Sequence, residues 1–384
     1  MRRLLLFSLI AGLSAAALPP SAQAQSSEFG VRGLGFPGRE QSARALGSAG
    51  AFALFDGESS LDPASLGYLT NLTAAFTVMA DYRSSDSPAG AASIRNTRFP
   101  QFLVGGPIKN TPLWAALSYS NYTTRDFSLV QPSTITLRGL PVNVVDTLES
   151  RGGLNDIRVA VAYRPGARWV IGLAGHAITG TNRLQFTRDF SDTLYATVAQ
   201  RSELSFRGVG ISIGVLGQLA RTLAITAMAR TDGHVTLERD STDVAPIDLP
   251  LTVGGGLLWR PTAKLSVASQ VRASNWSTSS ADLVGLGGVG ANNTLEASAG
   301  FEYTPNPRRP GRLPLRLGVR YAKLPFPLVA GAKPKEYGVA IGSGFSFAAD
   351  RGALALAIER AWRSGDPGYS EHAWLITTGV TIRP

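Results

Sequence analysis

The sequence predicts an all-β protein: a transmembrane antiparallel β-barrel of about 14 strands, with an N-terminal plug segment inside it. Three observations carry that reading. From Leu72 to Arg383, segments of about ten residues alternate bulky apolar residues with small or polar ones. The connections between them alternate tight and extended, as in Arg164-Pro165-Gly166-Ala167-Arg168 against Thr124 to Gly153. After residue 24, no stretch is long and apolar enough for a helical span. In hydrocarbon every backbone amide needs a protein partner, and a closed barrel supplies one while leaving no strand edge free.

The first 24 residues read as a secretory signal peptide. Arg2 and Arg3 give the positive start, Leu4 to Leu18 the apolar stretch, and Ala22-Gln23-Ala24 a small-x-small cleavage site. The chain has no cysteine, which excludes a lipoprotein anchor, disulfides and thiolate metal sites. Of 37 Lys and Arg, removing Arg2 and Arg3 leaves 35 against 27 acidic residues, and most are arginine. That surplus suits anionic lipid headgroups or anionic ligands. It is dispersed and comes with no nucleic-acid motif, so nucleic acid is not an expected partner.

Residues 25–69 differ from the rest: they are rich in Gly, Ala and Ser, with aromatics at intervals and no sustained period of two. They are too apolar for a free tail and are expected to pack against something. Strands are expected at residues 70–83, 98–108, 112–124, 154–164, 168–187, 194–217, 221–234, 249–260, 263–275, 293–304, 313–323, 335–347, 353–363 and 373–383. The second is the weakest, because Pro100 cannot donate to a ladder. An even number places both barrel ends on the periplasmic side.

The alternation assigns faces. Ile157, Val159, Val161 and Tyr163 oppose Arg158, Ala160 and Ala162; Leu315, Leu317, Val319 and Tyr321 oppose Arg316, Gly318 and Arg320. The bulky face belongs on lipid, where a midplane charge costs about 2–4 kcal/mol. The lumen face is then mostly small, with a few charges, and leaves volume for residues 25–69 to fill. Glu296 and Glu302 lie one hairpin from Arg316 and Arg320, so inward ion pairs are expected there. Trp169, Trp259, Trp276, Trp362 and Trp374 fall near strand ends, the level of aromatic girdles.

The run Ser42-Ala43-Arg44-Ala45-Leu46-Gly47-Ser48-Ala49-Gly50-Ala51-Phe52, then Asp62-Pro63-Ala64-Ser65-Leu66, resembles the N-terminus of FadL/OmpP1/TodX-type outer-membrane transporters. Arg316 to Phe326 is also similar to these barrels. The resemblance implies a fourteen-stranded barrel in the bacterial outer membrane, plugged by an N-terminal hatch. Its implied task is to pass long-chain fatty acids or other hydrophobic compounds by hatch-gated diffusion. It carries over the hatch glycines Gly47 and Gly50 and the motif Asp62, Pro63 and Ala64, where Asp62 replaces an asparagine. The third strand (112–124) has no internal glycine or proline for a kink, and the chain ends Ile382-Arg383-Pro384 rather than in an aromatic. Some relatives serve secretion systems, so a scaffold with an envelope-protein partner is the alternative.

Within that frame, Phe29, Phe36, Phe52 and Phe55 are candidates for an apolar pocket, and Arg158, Arg316 or Arg320 for a carboxylate anchor. Lumen salt bridges to Glu296 or Glu302 compete for those arginines. Gly210-Ile211-Ser212-Ile213-Gly214 matches the nucleophile-elbow pattern but lies inside a continuous strand. Gly33-x-Gly35-x-x-Gly38 and Gly285-x-Gly287-x-x-Gly290 lack the strand–turn–helix setting of a dinucleotide site. His176, His234 and His372 are far apart in the chain and have no ligand spacing. The expectation is therefore no enzyme, no cofactor and no metal.

Overall fold

The computed structural model describes residues 27–88, 90–239, 242–307 and 311–384. The expected signal peptide lies outside them. Fourteen strands close into an antiparallel barrel among the described residues. They are β1 (Thr73–Ser87), β2 (Gly90–Pro107), β3 (Leu113–Asn121), β4 (Leu140–Tyr163), β5 (Trp169–Phe190), β6 (Val198–Ala220) and β7 (Leu223–Thr231). The second half is β8 (Leu251–Trp259), β9 (Leu265–Ser274), β10 (Thr294–Tyr303), β11 (Arg312–Lys323), β12 (Lys335–Phe347), β13 (Gly352–Asp366) and β14 (Tyr369–Ile382). The seam is β14 on β1, in register from Ile382↔Ala74 to Ser370↔Asp86.

Every expected strand has a counterpart. The faces also fall as the alternation requires: Val159, Leu173, Ile211, Val319 and Ile341 are exposed outward, while Arg158, Ala174, Ser212, Arg320 and Ala340 are buried. An outer wall of that composition is stable against lipid and unstable against water.

At one rim the connections are tight turns, and the barrel's two chain ends lie there. The other rim carries the longest loops, although its first and last connections, at 88–89 and 367–368, are as short as the turns, and its 191–197 loop is no longer than the 304–311 connection of the turn rim. β4 starts at Leu140, not at 154. Its early half pairs with Phe127–Leu137 in a hairpin beyond the wall. His234–Arg239 and Thr242–Asp248 pair with each other, and the former docks on β6. Trp276–Ser279 and Ser280–Gly285 are helical turns over the same rim. Trp276 is therefore buried beneath loops and not part of a girdle. Trp169 and Trp259, at the tight-turn rim, and Trp362 and Trp374, at the loop rim, do face outward.

Residues 27–69 fill the bore. Almost all of them are buried, and they touch inward faces on opposite sides of the barrel. Ala43–Leu46 form one helical turn, with the Ser42 hydroxyl accepting from the Ala45 amide at 3.1 Å. A cap of this kind contributes about 1 kcal/mol. Pro63–Tyr68 form a 3₁₀ turn capped by Asp62.

Candidate functional site

Glycines in the wall fix where the segment sits. On one side, the Ser48 carbonyl lies where a β-carbon on Gly318 of β11 would stand only 2.0 Å away. A β-carbon on Gly342 of β12 would come within 2.6 Å of the Gly47 Cα. On the opposite side, Pro63 and Ala64 rest on Gly172 of β5, whose β-carbon would meet their backbone at 2.2–2.3 Å. Asp62 rests on Gly214 of β6, where a β-carbon would be 1.8 Å from Oδ1. The Asp62 carboxylate accepts from the Ala64 amide at 2.8 Å and from the Thr226 hydroxyl at 2.5 Å. Burial nonetheless pushes its pKa up to about 6. Gly50 (φ +88°) turns the chain after the helical turn. The contacts at Gly172 and Gly214 fall toward the tight-turn ends of their strands, and those at Gly318 and Gly342 near mid-strand.

Toward the loop rim the interior changes character. The lumen is not merely small-lined: its upper half is a belt of ion pairs, and the segment takes part in it. Arg39 bridges Glu336 (3.0 Å) and Glu359, which also engage Arg320. Arg363 joins Glu336 to Glu371, and Arg83 joins Glu371 (3.3 Å) to Asp81. The Phe36 ring lies between the guanidiniums of Arg83 and Arg363. Across the bore, Arg230 contacts Glu40 (3.0 Å), Asp156 (2.9 Å) and Asp232 (2.9 Å). Lower down, Glu302 holds both Arg44 (3.0 Å) and Arg316 (2.6 Å). The Glu302–Arg316 pair is the expected cross-strand one, whereas Glu296 pairs with Arg272 at 2.7 Å. Of the three candidate anchors, Arg316 and Arg320 are thus engaged by carboxylates. Arg158 is fully buried, with no ion pair among the described residues.

Between the belt and the loops lies a chamber of about 120 Å³. Arg39, Glu40, Arg230 and Glu296 form its floor, and Tyr122, Trp276 and Leu324 its apolar side. The Trp276 ring meets Phe326 edge-on at 5.1 Å and Tyr122 at 6.3 Å. These join an apolar cluster under the loops that includes Leu34, Ile178 and Phe206. Of the candidate aromatics, only Phe36 lines the chamber. Phe29 packs with Phe36 and Leu324, while Phe52 and Phe55 are buried low in the barrel with Leu66 and Leu103.

The wall is interrupted beside a second, smaller cavity of about 30 Å³, which Arg98, Pro100 and Thr124 line and which shares Phe36 to Arg39 with the chamber. β2 pairs with β3 only from Gln101 to Pro107, so residues 90–98 are laddered to β1 alone and Phe99 and Pro100 to neither. The register slips between Thr77 and Met79, opposite Phe99 and Pro100. β3 stops at Asn121, and the chain turns inward, where Thr123–Thr124 pair with Phe36–Pro37. A β-carbon on Gly38 would sit 1.7 Å from the Asn121 carbonyl oxygen, and one on Gly35 2.5 Å from that of Thr124. The Gly33-x-Gly35-x-x-Gly38 run is therefore a backbone seam. The third strand needs no internal glycine or proline to leave the wall, because it simply ends.

The structure also joins Ser212 to His176 (2.8 Å from Nε2) and His176 to Asp156 (2.8 Å from Nδ1). This chain belongs to the belt through Arg230. The flanking glycines leave no room for an acyl group: Asp62 fills the space at Gly214 and Asp232 that at Gly210. Linear spacing could not reveal it, since it depends on the register of β4, β5 and β6.

No protein-family model and no curated protein matches this chain. Solved structures do share its fold. A FadL homologue of Pseudomonas aeruginosa aligns at TM-score 0.62 and 12% identity, over 91% of this chain and 99% of that one. The Pseudomonas putida toluene transporter TodX aligns at 0.60 and 14%, over 90% and 99%. The Ralstonia pickettii toluene transporter TbuX aligns at 0.57 and 12%, over 90% and 98%. The architecture is thus that of the FadL-type barrels.

Proposed function

We propose that this protein is an outer-membrane channel for hydrophobic small molecules, in which residues 27–69 act as the hatch. The observation that carries the reading is the chamber. It is a small space with an apolar side, closed below by a segment held through contacts rather than covalently. An apolar cavity of about 150 Å³ takes up benzene; this chamber is somewhat smaller and has a charged floor, so it is its apolar side, Tyr122, Trp276 and Leu324, that suits a single ring or a short chain. A long-chain fatty acid needs the hatch to move first. The names of the similar structures, toluene transporters among them, support the same class of cargo.

Passage on this reading is diffusion down a gradient. A ligand crosses the apolar cluster around Trp276, rests in the chamber, and leaves when the hatch shifts. A ligand drives that shift only by the difference in its affinity for the two hatch positions. The break beside Pro100 offers a sideways exit into lipid. Cleavage of a signal peptide before Gln25 delivers the chain to the envelope.

Deleting residues 25–60 tests the reading. The expected result is a folded, heat-modifiable barrel that has become leaky to small polar solutes and no longer discriminates among hydrophobic ones. An intact, selective barrel after deletion overturns it. The scaffold reading draws on one feature, the projecting hairpin 127–150 with exposed Leu129, Val130, Leu140 and Val145. It predicts capture of an envelope protein by that hairpin and no uptake.

A further inference from the structure

The tight-turn rim carries a charge pattern that the lumen does not explain. The connections at that rim expose Lys109, Arg164, Arg168, Arg221, Lys264 and Arg351. Asp350 is the one acid in those connections among the described residues. None of the six cations forms an ion pair among the described residues. The loop rim also exposes Arg138, Arg201, Arg239 and Lys333 without an ion pair among the described residues, but it is rich in acids, and Arg151, Arg183, Arg188 and Arg207 there pair with Glu149, Glu203, Asp146 and Glu238.

Two of these cations stand next to lipid-facing aromatics. Arg168 precedes exposed Trp169, and Lys264 lies five residues beyond exposed Trp259 in the same turn, whereas Arg164 turns inward, donating to the Gly67 carbonyl at 2.8 Å and lying over the Trp114 ring. Aromatic side chains of this kind settle at the headgroup level. Residues one turn outward therefore stand among the phosphates, where each cation attracts anionic lipid. Long Arg and Lys side chains reach that level without burying charge.

We propose that this rim is a binding ring for anionic phospholipid headgroups, those with a net negative phosphate such as phosphatidylglycerol, in the leaflet on the tight-turn side. The ring sets the depth and tilt of the barrel and recruits an anionic lipid annulus. It requires only that the barrel sit in a bilayer, and is independent of what passes through the lumen.

The test uses the full-length protein in nanodiscs of equal dioleoylphosphatidylglycerol and dioleoylphosphatidylethanolamine, with retained lipids counted by native mass spectrometry. The wild type is expected to retain phosphatidylglycerol over phosphatidylethanolamine by about tenfold, the factor that corresponds to about 1.4 kcal/mol. The variant R168Q/R221Q/K264Q/R351Q is expected to lose most of that preference. The control R138Q/R201Q/R239Q/K333Q removes as many cations from the loop side and is expected to keep it. Heat-modifiable migration confirms that each variant is folded. Absence of a preference in the wild type, or equal loss in both variants, overturns the proposal. Retention of an acidic protein in place of lipid would overturn it in favour of a protein partner.

Discussion

The two ends of the plug use the same two kinds of contact in different proportion, with the Glu58–Arg383 and Arg44–Glu302 ion pairs low and the Gly35–Gly38 backbone seam high as the exceptions. From mid-barrel to the tight-turn rim, Gly47, Ser48, Pro63 and Ala64 lie directly on wall glycines, and backbone meets backbone with no side chain between. Near the loop rim, Arg39 and Glu40 reach the wall through guanidinium–carboxylate pairs. The first kind of contact is short-ranged and intolerant of added volume. The second tolerates small displacements but is costly to leave half-made, because a buried charge then has no partner. A plug built this way has a seat at the bottom and a latch at the top. The chamber lies on the latch side, so on the proposed channel reading a ligand there would act on the contacts that can exchange partners.

The largest expected effect breaks the latch. Arg230→Met leaves Glu40, Asp156 and Asp232 without their shared cation, and loss of about 3–5 kcal/mol is expected from removing one partner of a buried cluster. The temperature at which the barrel unfolds in the gel-shift assay should fall, and Glu40→Gln added to it should recover part of the loss. Full stability in R230M would show that the belt does not hold the plug.

The seat is expected to fail more locally. In Gly172→Val the new side chain occupies the place of the Pro63 carbonyl carbon. Overpacking of this kind costs about 1–3 kcal/mol. Planar-bilayer recordings should show raised conductance from a displaced plug with the barrel intact. If G172V and R230M behave alike, the seat and the latch are not distinct.

A third change sharpens the comparison through pH. Burial raises the Asp62 carboxyl from 3.8 to about 6. A raised carboxyl favours the neutral form when folded, so the seat is strongest below pH 4 and weakens as pH rises through about 6. At about 1.4 kcal/mol for each tenfold change in acidity, that difference bounds the effect at about 3 kcal/mol. In Asp62→Asn this part of the pH dependence should vanish, leaving that of the buried Glu40 and Glu58, and protease protection of residues 27–69 at pH 8 should increase. Unchanged protection would remove Asp62 from the seat's energetics.

The smallest effect is expected at Trp276→Ala. It enlarges the chamber and removes the ring contacts to Tyr122 and Phe326. Binding of a single-ring ligand should weaken by about tenfold, near the 0.5–1.5 kcal/mol typical of an aromatic pair plus lost burial. A titration showing tighter binding would contradict the chamber's assignment.

Much of this was legible in the chain. Period-two alternation marked the strands because each side chain must choose lipid or lumen, as Val159 and Arg158 do. The Glu302–Arg316 pair followed from adjacent hairpin strands. What escaped depended on closure. Arg39 meets Glu359, and Glu40 meets Arg230, only once strands hundreds of residues away have curved round the same plug. Gly318 reads in the sequence only as a small lumen residue and Gly214 only as part of the elbow pattern, since a seat is defined by what lies against it. The extension of β4 back to Leu140 escaped because that stretch stands clear of lipid and has no reason to alternate strictly. Trp276 looked like a girdle residue because its loop folds back over the bore.

The central claim is that the plug sits in the bore at rest and must move for a ligand to pass. The chain has no native cysteine, so a cysteine pair can test this without background. At Ala43 and Gly379, β-carbons would lie 2.7 Å apart, and a shift of about 1 Å gives disulfide geometry. In A43C/G379C, oxidation should close the cross-link in the resting protein and stop uptake of a hydrophobic ligand such as toluene, with reduction restoring it. Rapid cross-linking with undiminished uptake would contradict the account.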